Sequence, residues 1–467
     1  MAHIRDLDRA YVFHPFSMAN AHEQSGAAMM AQTAQGCWIT DDTGKRYFDA
    51  MAGLWCVNVG YGRDRIADAM ADQARKLSYF HGFSSMATEP AALLAERVIV
   101  KAPEGFSKVF FGASGSDAND TQAKLAWFYN NARDMPQKKK IISRDRGYHG
   151  VTVMTGGLTG LPGLHAGFDL PLPMIRHVSA PHNLWTRLPG EDDAAFSDRL
   201  AQELDDLIIA EGPDTVAAFI AEPVMGAGGV IVPPEGYFPK IQAVLDRYDV
   251  LLIADEVICG FGRLGTWFGS DKMNMKPDLM SVAKGITSGY APLSGVLVSD
   301  KVWSVIAGQG AAKFGAFGHG YTYTAHPVMA AAALANLDIL EEDDLVRRAG
   351  EMGTYLNDTL QKAFVDLPIA AEVRGCGLVA AVEFAQPTSE GWRKFDPKLT
   401  VAARIVRAAL EDGVIARALP NGDAVSFSPP FTATHEEIDL AISTIRRAAE
   451  RTYSALKADG KLITTPA

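Results

Sequence analysis

Short apolar runs alternating with helical stretches constrain this chain's fold more than any other feature. Val109–Phe111 reads as a strand, followed by a small-residue turn and a helix to about Arg133. Ile141-Ile142 is extended, 199–211 helical, Val216–Ala221 extended, 237–248 helical and Val250–Ala254 extended. Leu279–Ala283 and Gly295–Val298 are two further short extended runs. Strands separated by helices predict an α/β fold with a mainly parallel central sheet. The stretch 155–198 is rich in Gly, Pro and His and has little periodicity, so it reads as a functional connection or a surface excursion.

Other segments flank this region. Residues 36–50 predict a hairpin turning at Asp42-Thr43-Gly44, and 63–79 and 88–101 predict amphipathic helices. The Ala-rich run 328–340 predicts a long helix leaving the sheet. Beyond it, 371–384 and 424–428 look extended, and 399–412 and 434–455 helical. The expected organisation is a large domain, 61–335, and a smaller α+β domain built from both termini, 1–60 and 336–467.

Composition narrows the function. Net charge is 44 − 55 = −11, which argues against nucleic acid and against an anionic membrane surface. Cys37, Cys56, Cys259 and Cys376 are widely separated, without a C-x-x-C pair. That excludes a disulfide scaffold and points to a reducing compartment, the cytoplasm. No apolar run reaches the roughly 18 residues a membrane helix needs. His319 and His326 have no acidic neighbour at ligand spacing, so no metal site is expected.

Lys284 ends one apolar run, and Asp255 ends another about thirty positions upstream. A lysine and an acid delivered by two buried strands can share one site. That pair suits an aldehyde cofactor, with the lysine in a Schiff base and the acid keeping a pyridine nitrogen protonated. The turn Gly112-Ala113-Ser114-Gly115-Ser116 opens a helix and offers N–H groups and hydroxyls to a phosphate. It matches neither the P-loop nor G-x-G-x-x-G, so nucleotide binding is not favoured. Tyr148, in Gly147-Tyr148-His149-Gly150, is placed to stack on a flat ring. Each residue also has a plain reading: a strand-end lysine, a helix-capping or ion-paired aspartate, a serine cap, a loop aromatic.

Taken together, Ser114–Ala118, Tyr148-His149-Gly150, Ala221-Glu222-Pro223-Val224, Asp255–Arg263, Ala283-Lys284-Gly285 and Thr322–Pro327 resemble the class III aminotransferases. These use pyridoxal phosphate on the type I fold, and the resemblance spans nearly the whole chain. It implies that Lys284 is the Schiff-base lysine and proton shuttle and that Asp255 partners the pyridine nitrogen. It implies that Val257 and Tyr148 sandwich the ring and that Ser114, Gly115 and Ser116 hold the phosphate. Thr322 would be a phosphate ligand supplied by the other subunit of a homodimer with shared active sites, or of a tetramer of such dimers.

Within that family, relatives acting on ornithine, acetylornithine or 4-aminobutyrate carry an arginine where Ser426 stands, and commonly a glutamine where Ile258 stands. Arg417 appears instead, an arrangement that resembles the ω-amine:pyruvate transaminases. The resemblance implies that Arg417 binds a keto acid carboxylate and swings aside for a carboxylate-free amine. It implies that Trp55 lines the substrate pocket, with Phe83 as a second wall. Glu222 pairs with the missing arginine in other relatives and has no assigned partner here. The implied reaction moves an amino group from an amine or ω-amino acid to a keto acid such as pyruvate, with ping-pong kinetics. An aminomutase, a dialkylglycine-type decarboxylase and a non-catalytic binding protein are the alternatives on the same fold.

Overall fold

The computed structural model describes residues 4–462. Seven strands form the main sheet: β1 (Phe106–Gly112), β2 (Lys140–Arg144), β3 (Ile175–Val178), β4 (Val216–Ala221), β5 (Leu251–Asp255), β6 (Leu279–Val282) and β7 (Ser294–Ser299). Their order is β1-β7-β6-β5-β4-β2-β3. Only β7 runs against its neighbours; the rest point one way. β4 and β5 are buried at every residue, as central strands covered on both faces are. Alternate residues of β4 enter different cores. Ala218 and Ile220 pack with the Gly115–Ala132 helix, whereas Phe219 and Ala221 pack with the Asp193–Glu211 and Tyr237–Arg247 helices.

The 155–198 stretch departs from its reading as an irregular connection. It contains β3, a four-residue edge strand whose two middle residues, Arg176 and His177, are half-buried. A polar pair at the centre of so short a strand leaves no apolar run to detect. The following helix begins at Asp193 rather than 199, where the Asp192 side chain accepts the Ala195 amide at 2.8 Å. A helix over Leu345–Phe364 has no counterpart in the sequence reading. The single extended run 371–384 is two strands, Ala370–Gly375 and Ala380–Phe384. Gly377 breaks them at φ +56, where a side chain would meet the Leu264 backbone.

Three smaller sheets are described besides: a two-stranded hairpin, Gln386–Thr388 with Gly391–Arg393, and two four-stranded sheets. Ala31–Gln35, Trp38–Asp41, Arg46–Asp49 and Val414–Ile415 form one, so the two ends of the chain meet in a single sheet. Ala370–Gly375, Ala380–Phe384, Ala424–Phe427 and Arg417–Ala418 form the other. The chain steps between these sheets at Ala416, which places Arg417 at the start of an edge strand. No described helix is long and apolar enough to cross a membrane.

Candidate active site

Ligands of parallel α/β sheets bind at the carboxyl ends of the strands. Here those ends lead to Gly115 and Ser116 after β1, Tyr148 after β2, Glu222 after β4, Asp255 on β5 and Lys284 after β6. All line one cavity of about 210 Å³. Val257 lines it too, and Trp55 and Arg417 reach it from the segments that flank the small sheets.

The Gly115–Ala132 helix starts with a capping box. The Ser114 hydroxyl accepts the Asp117 amide at 3.1 Å, and Asp117 Oδ2 accepts the amides of Ala113 and Ser114, both at 2.9 Å. Ser114 is thus the cap and does not line the cavity. The amides of Gly115 and Ser116, in the first turn, have no intrahelical acceptor and sit at the positive end of the helix dipole. Glycine at 115 lets Val257 approach closely: a Cβ there would lie 3.0 Å from both Val257 γ-carbons. Gly150 closes the other side at φ +133, where a Cβ would lie 2.6 Å from Ser116 Oγ.

Asp255 and Glu256 are adjacent carboxylates on opposite sides of the strand end. Glu256 is buried away from the cavity, where it accepts the Gly269 amide at 2.9 Å, the Ser270 amide at 2.5 Å and the Ser270 hydroxyl at 2.6 Å. Asp255 faces the cavity. Its Oδ2 accepts Asn119 Nδ2 and contacts His149 Nδ1, both at 2.8 Å, and its Oδ1 accepts the Val257 amide at 3.1 Å. A carboxylate oxygen only accepts, so the His149 hydrogen on Nδ1 lies on this contact. These partners fix the carboxylate's orientation.

Lys284 adopts the left-handed region, φ 45, an observed strain of the kind that gathers at functional sites. Burial lowers its pKa, and the nearby Arg417 charge lowers it further. Trp55 also has positive φ, at 59, in a loop tied to Asp49: the amides of Met51 and Gly53 bond its carboxylate at 2.9 and 2.6 Å. Lys284 Nζ lies 5.3 Å from the Trp55 ring centroid and Arg417 Cζ 4.7 Å, so one indole lies against both side chains. Burial lowers the Arg417 pKa as well. Among the described residues, no carboxylate or carbonyl bonds the Arg417 guanidinium. Arg417 is the cross-strand partner of the buried Ser426. Opposed residues of an antiparallel pair share a face. Arg417 therefore projects beside Ser426 on the same face of this sheet.

Glu222 is buried against the cavity. Its Oε1 accepts the Tyr148 amide at 3.2 Å, while Oε2 has no hydrogen-bond partner. Burial and the nearby Asp255 charge push its pKa up to about 8.

Phe83 and Thr322 lie outside this chain's cavity. Phe83, expected as a pocket wall, is exposed and packs on Gly320, because residues 77–88 run along the surface beside the 315–326 loop. Thr322 is exposed in that loop, with its carbonyl accepting the Tyr79 hydroxyl at 2.7 Å. Asn119, His149, Leu54 and Phe16 also line the cavity, though the sequence reading gave them no role. Asn119 stands one helical turn after Gly115, a spacing that marks the same helix face. Nothing in the sequence near Phe16 signals its position.

The site fits a phosphorylated pyridine aldehyde: free amides at a helix start, a fixed carboxylate, a buried lysine, and side chains of Val257 and Tyr148 lining the space between. The aminotransferase class-III family model matches residues 19–449. An uncharacterized aminotransferase of Sinorhizobium fredii is 49% identical over 460 residues, 98% of each chain. A diaminobutyrate–2-oxoglutarate transaminase of Halomonas elongata is 47% identical over 461 residues, again 98% of each chain. The omega transaminase of Pseudomonas jessenii, crystallised in complex with PMP, matches with a TM-score of 0.93 at 44% identity. The match covers 98% of this chain and 99% of that one.

Proposed function

The chain belongs to the class III aminotransferases, which use pyridoxal phosphate, and from that premise we propose that it transfers an amino group from an amine or ω-amino acid to a keto acid such as pyruvate. The observation that carries the acceptor is Arg417, a half-buried guanidinium that shares the Trp55 ring with Lys284 and has no acidic partner among the described residues. A guanidinium fork suits a carboxylate by paired, charge-assisted hydrogen bonds. An amine donor without a carboxylate makes no such demand.

When bound, pyridoxal phosphate supplies an aldehyde that reacts with amines and a ring that accepts electrons. Gly115 and Ser116 would hold its phosphate by their amides, and Asp255, oriented by Asn119 and His149, would keep its ring nitrogen protonated. Val257 and Tyr148 would confine the ring. Lys284 would be the amine that anchors the cofactor, and its neutral form, favoured by burial, would serve as the base that moves the substrate proton. Trp55 shields the site from water and lies against both Lys284 and Arg417. One cavity serves both substrates, so they enter in turn and the kinetics are ping-pong.

The reading extends to assembly. Thr322 sits among exposed aromatics, Tyr79, Phe80, Phe83 and Tyr323, a patch of the kind that marks an interface. We assign it to a homodimer in which Thr322 and Phe83 serve the partner's site. The four free cysteines suit a cytoplasmic enzyme. Initial rates with a carboxylate-free amine and pyruvate test the reaction. Parallel double-reciprocal lines with ¹⁵N passing from amine to alanine are expected. Intersecting lines, or label that stays on the donor carbon skeleton, would overturn it.

A further inference from the structure

A second cluster of chemistry-bearing side chains lies outside the catalytic cavity. Asp8 belongs to the Ile4–Tyr11 helix, His22 to the Ala19–Ser25 helix, and His14 to the loop between them. His14 Nε2 is 3.0 Å from Asp8 Oδ1, and His22 Nε2 is 3.5 Å from Asp8 Oδ2. The two imidazole centroids are 4.3 Å apart. One ligand atom from each residue falls within 4.8 Å of the others. Four-coordinate zinc with nitrogen and oxygen ligands at about 2.0–2.1 Å sets them about 3.3 Å apart, so small side-chain movements close this set around an ion.

The cluster is sheltered, with side-chain exposures of 33% for His14, 13% for His22 and 15% for Asp8. A hydrogen bond between His14 and Asp8 accounts for one imidazole. It leaves Asp8 Oδ2 and His22 Nε2 buried and facing each other at 3.5 Å, a loose contact without a formed hydrogen bond. Two poorly satisfied buried polar atoms that converge with a third ligand atom leave a place for a cation. The nearby guanidiniums are engaged elsewhere: Arg5 bonds Asp42 at 2.7 and 2.6 Å, and Arg9 bonds Asp6 at 2.9 Å. Two imidazoles and one carboxylate are a ligand set for Zn²⁺ and similar late divalent ions, not for Mg²⁺ or Ca²⁺.

The position gives the site a consequence. Neither short helix has a buried residue, and helices of 8 and 7 residues are marginal without tertiary support. The loop joining them carries His14 and, two residues on, Phe16, which lines the catalytic cavity at φ 53. An ion held by all three side chains ties both helices and the loop together. We propose that Asp8, His14 and His22 bind one divalent transition-metal ion such as Zn²⁺, and that the ion orders the 4–25 segment that carries Phe16 to the cavity.

Metal-stripped holoenzyme, free of any purification tag, is titrated with ZnCl₂ by calorimetry and with CoCl₂ by its visible absorption. One ion per chain is expected. Asp8→Asn, His14→Ala and His22→Ala should each weaken Zn²⁺ binding at least about 10-fold, the scale of loss for a disturbed metal site. Limited proteolysis within 4–25 should slow on adding Zn²⁺ to wild type and not to the variants. Circular dichroism and bound cofactor report whether each variant is folded, and these residues lie outside the core. Absence of binding, binding that all three variants retain, or proteolysis indifferent to Zn²⁺ would each overturn the proposal.

Discussion

Replacing Arg417 by alanine is the most direct test of how this site tells its two substrates apart. In the structure the guanidinium is half-buried over Trp55, 4.7 Å from the ring centroid, with no acidic partner among the described residues. Two charge-assisted hydrogen bonds to a carboxylate, each contributing about 1.5–3 kcal/mol, less the water contacts that replace them, come to about 3–4 kcal/mol. That corresponds to a loss of about 10²–10³ in kcat/KM for pyruvate. The carboxylate-free amine loses only the effect of the cation on Trp55, ~1 kcal/mol or about fivefold at most. Because the half-buried guanidinium has no counter-ion among the described residues, its removal breaks no ion pair and should not lower folding stability by more than ~1 kcal/mol. Stopped-flow half-reactions separate the effects, one converting the holoenzyme with amine, the other returning it with pyruvate. Arg417→Lys should recover part of the pyruvate rate. Equal losses in the two half-reactions would refute the assignment.

Glu222 holds its proton to about 8 when folded, against 4.5 as the ordinary value, so the folded state binds more protons between those limits. Stability therefore falls as pH rises through that window, and Glu222→Gln should flatten the decline in Tm between about pH 5 and 8. Glu256, raised to about 7, retains part of the slope; a slope identical to wild type would contradict the burial argument. Gly115→Ala sets a methyl against Val257 and should cost about 1–3 kcal/mol, seen in Tm or cofactor affinity, with Val257→Ala in the same chain recovering much of it. Asp255→Asn should keep the fold and lower turnover by about 10²–10³, the scale of removing one group that stabilises developing charge. Mixing Lys284→Ala subunits with Thr322→Ala subunits should restore activity above either variant alone, since one site per mixed dimer then has both residues; no gain on mixing would place Thr322 outside the partner's site.

The sequence was informative where the signal is local. Strand β5 is an unbroken apolar run ending in carboxylates, and the small-residue turn with a serine cap signals a helix start, so both were legible. The helix Leu345–Phe364 and the edge strand β3 were not. One opens on Asp344 in the left-handed region, and the other has Arg176 and His177 at its centre. Ser114 illustrates a partial reading: its hydroxyl serves the helix, and the helix start it creates leaves the Gly115 and Ser116 amides to the cavity.

The order of motifs determined the family and the type I fold, and it singled out Lys284 as the candidate Schiff-base lysine. Each follows from residue types at fixed separations along one segment. Tertiary structure alone decided which of Asp255 and Glu256 faces the cavity, because that depends on what packs on either side of the strand end. It alone set Arg417 across from Ser426, since register joins residues of different strands. It alone brought Lys284 and Arg417 onto one indole, left Phe83 outside this chain's pocket, and gathered Asp8, His14 and His22 from two helices and a loop. Convergence of side chains is a property of paired and packed backbones, and no single stretch of sequence contains it.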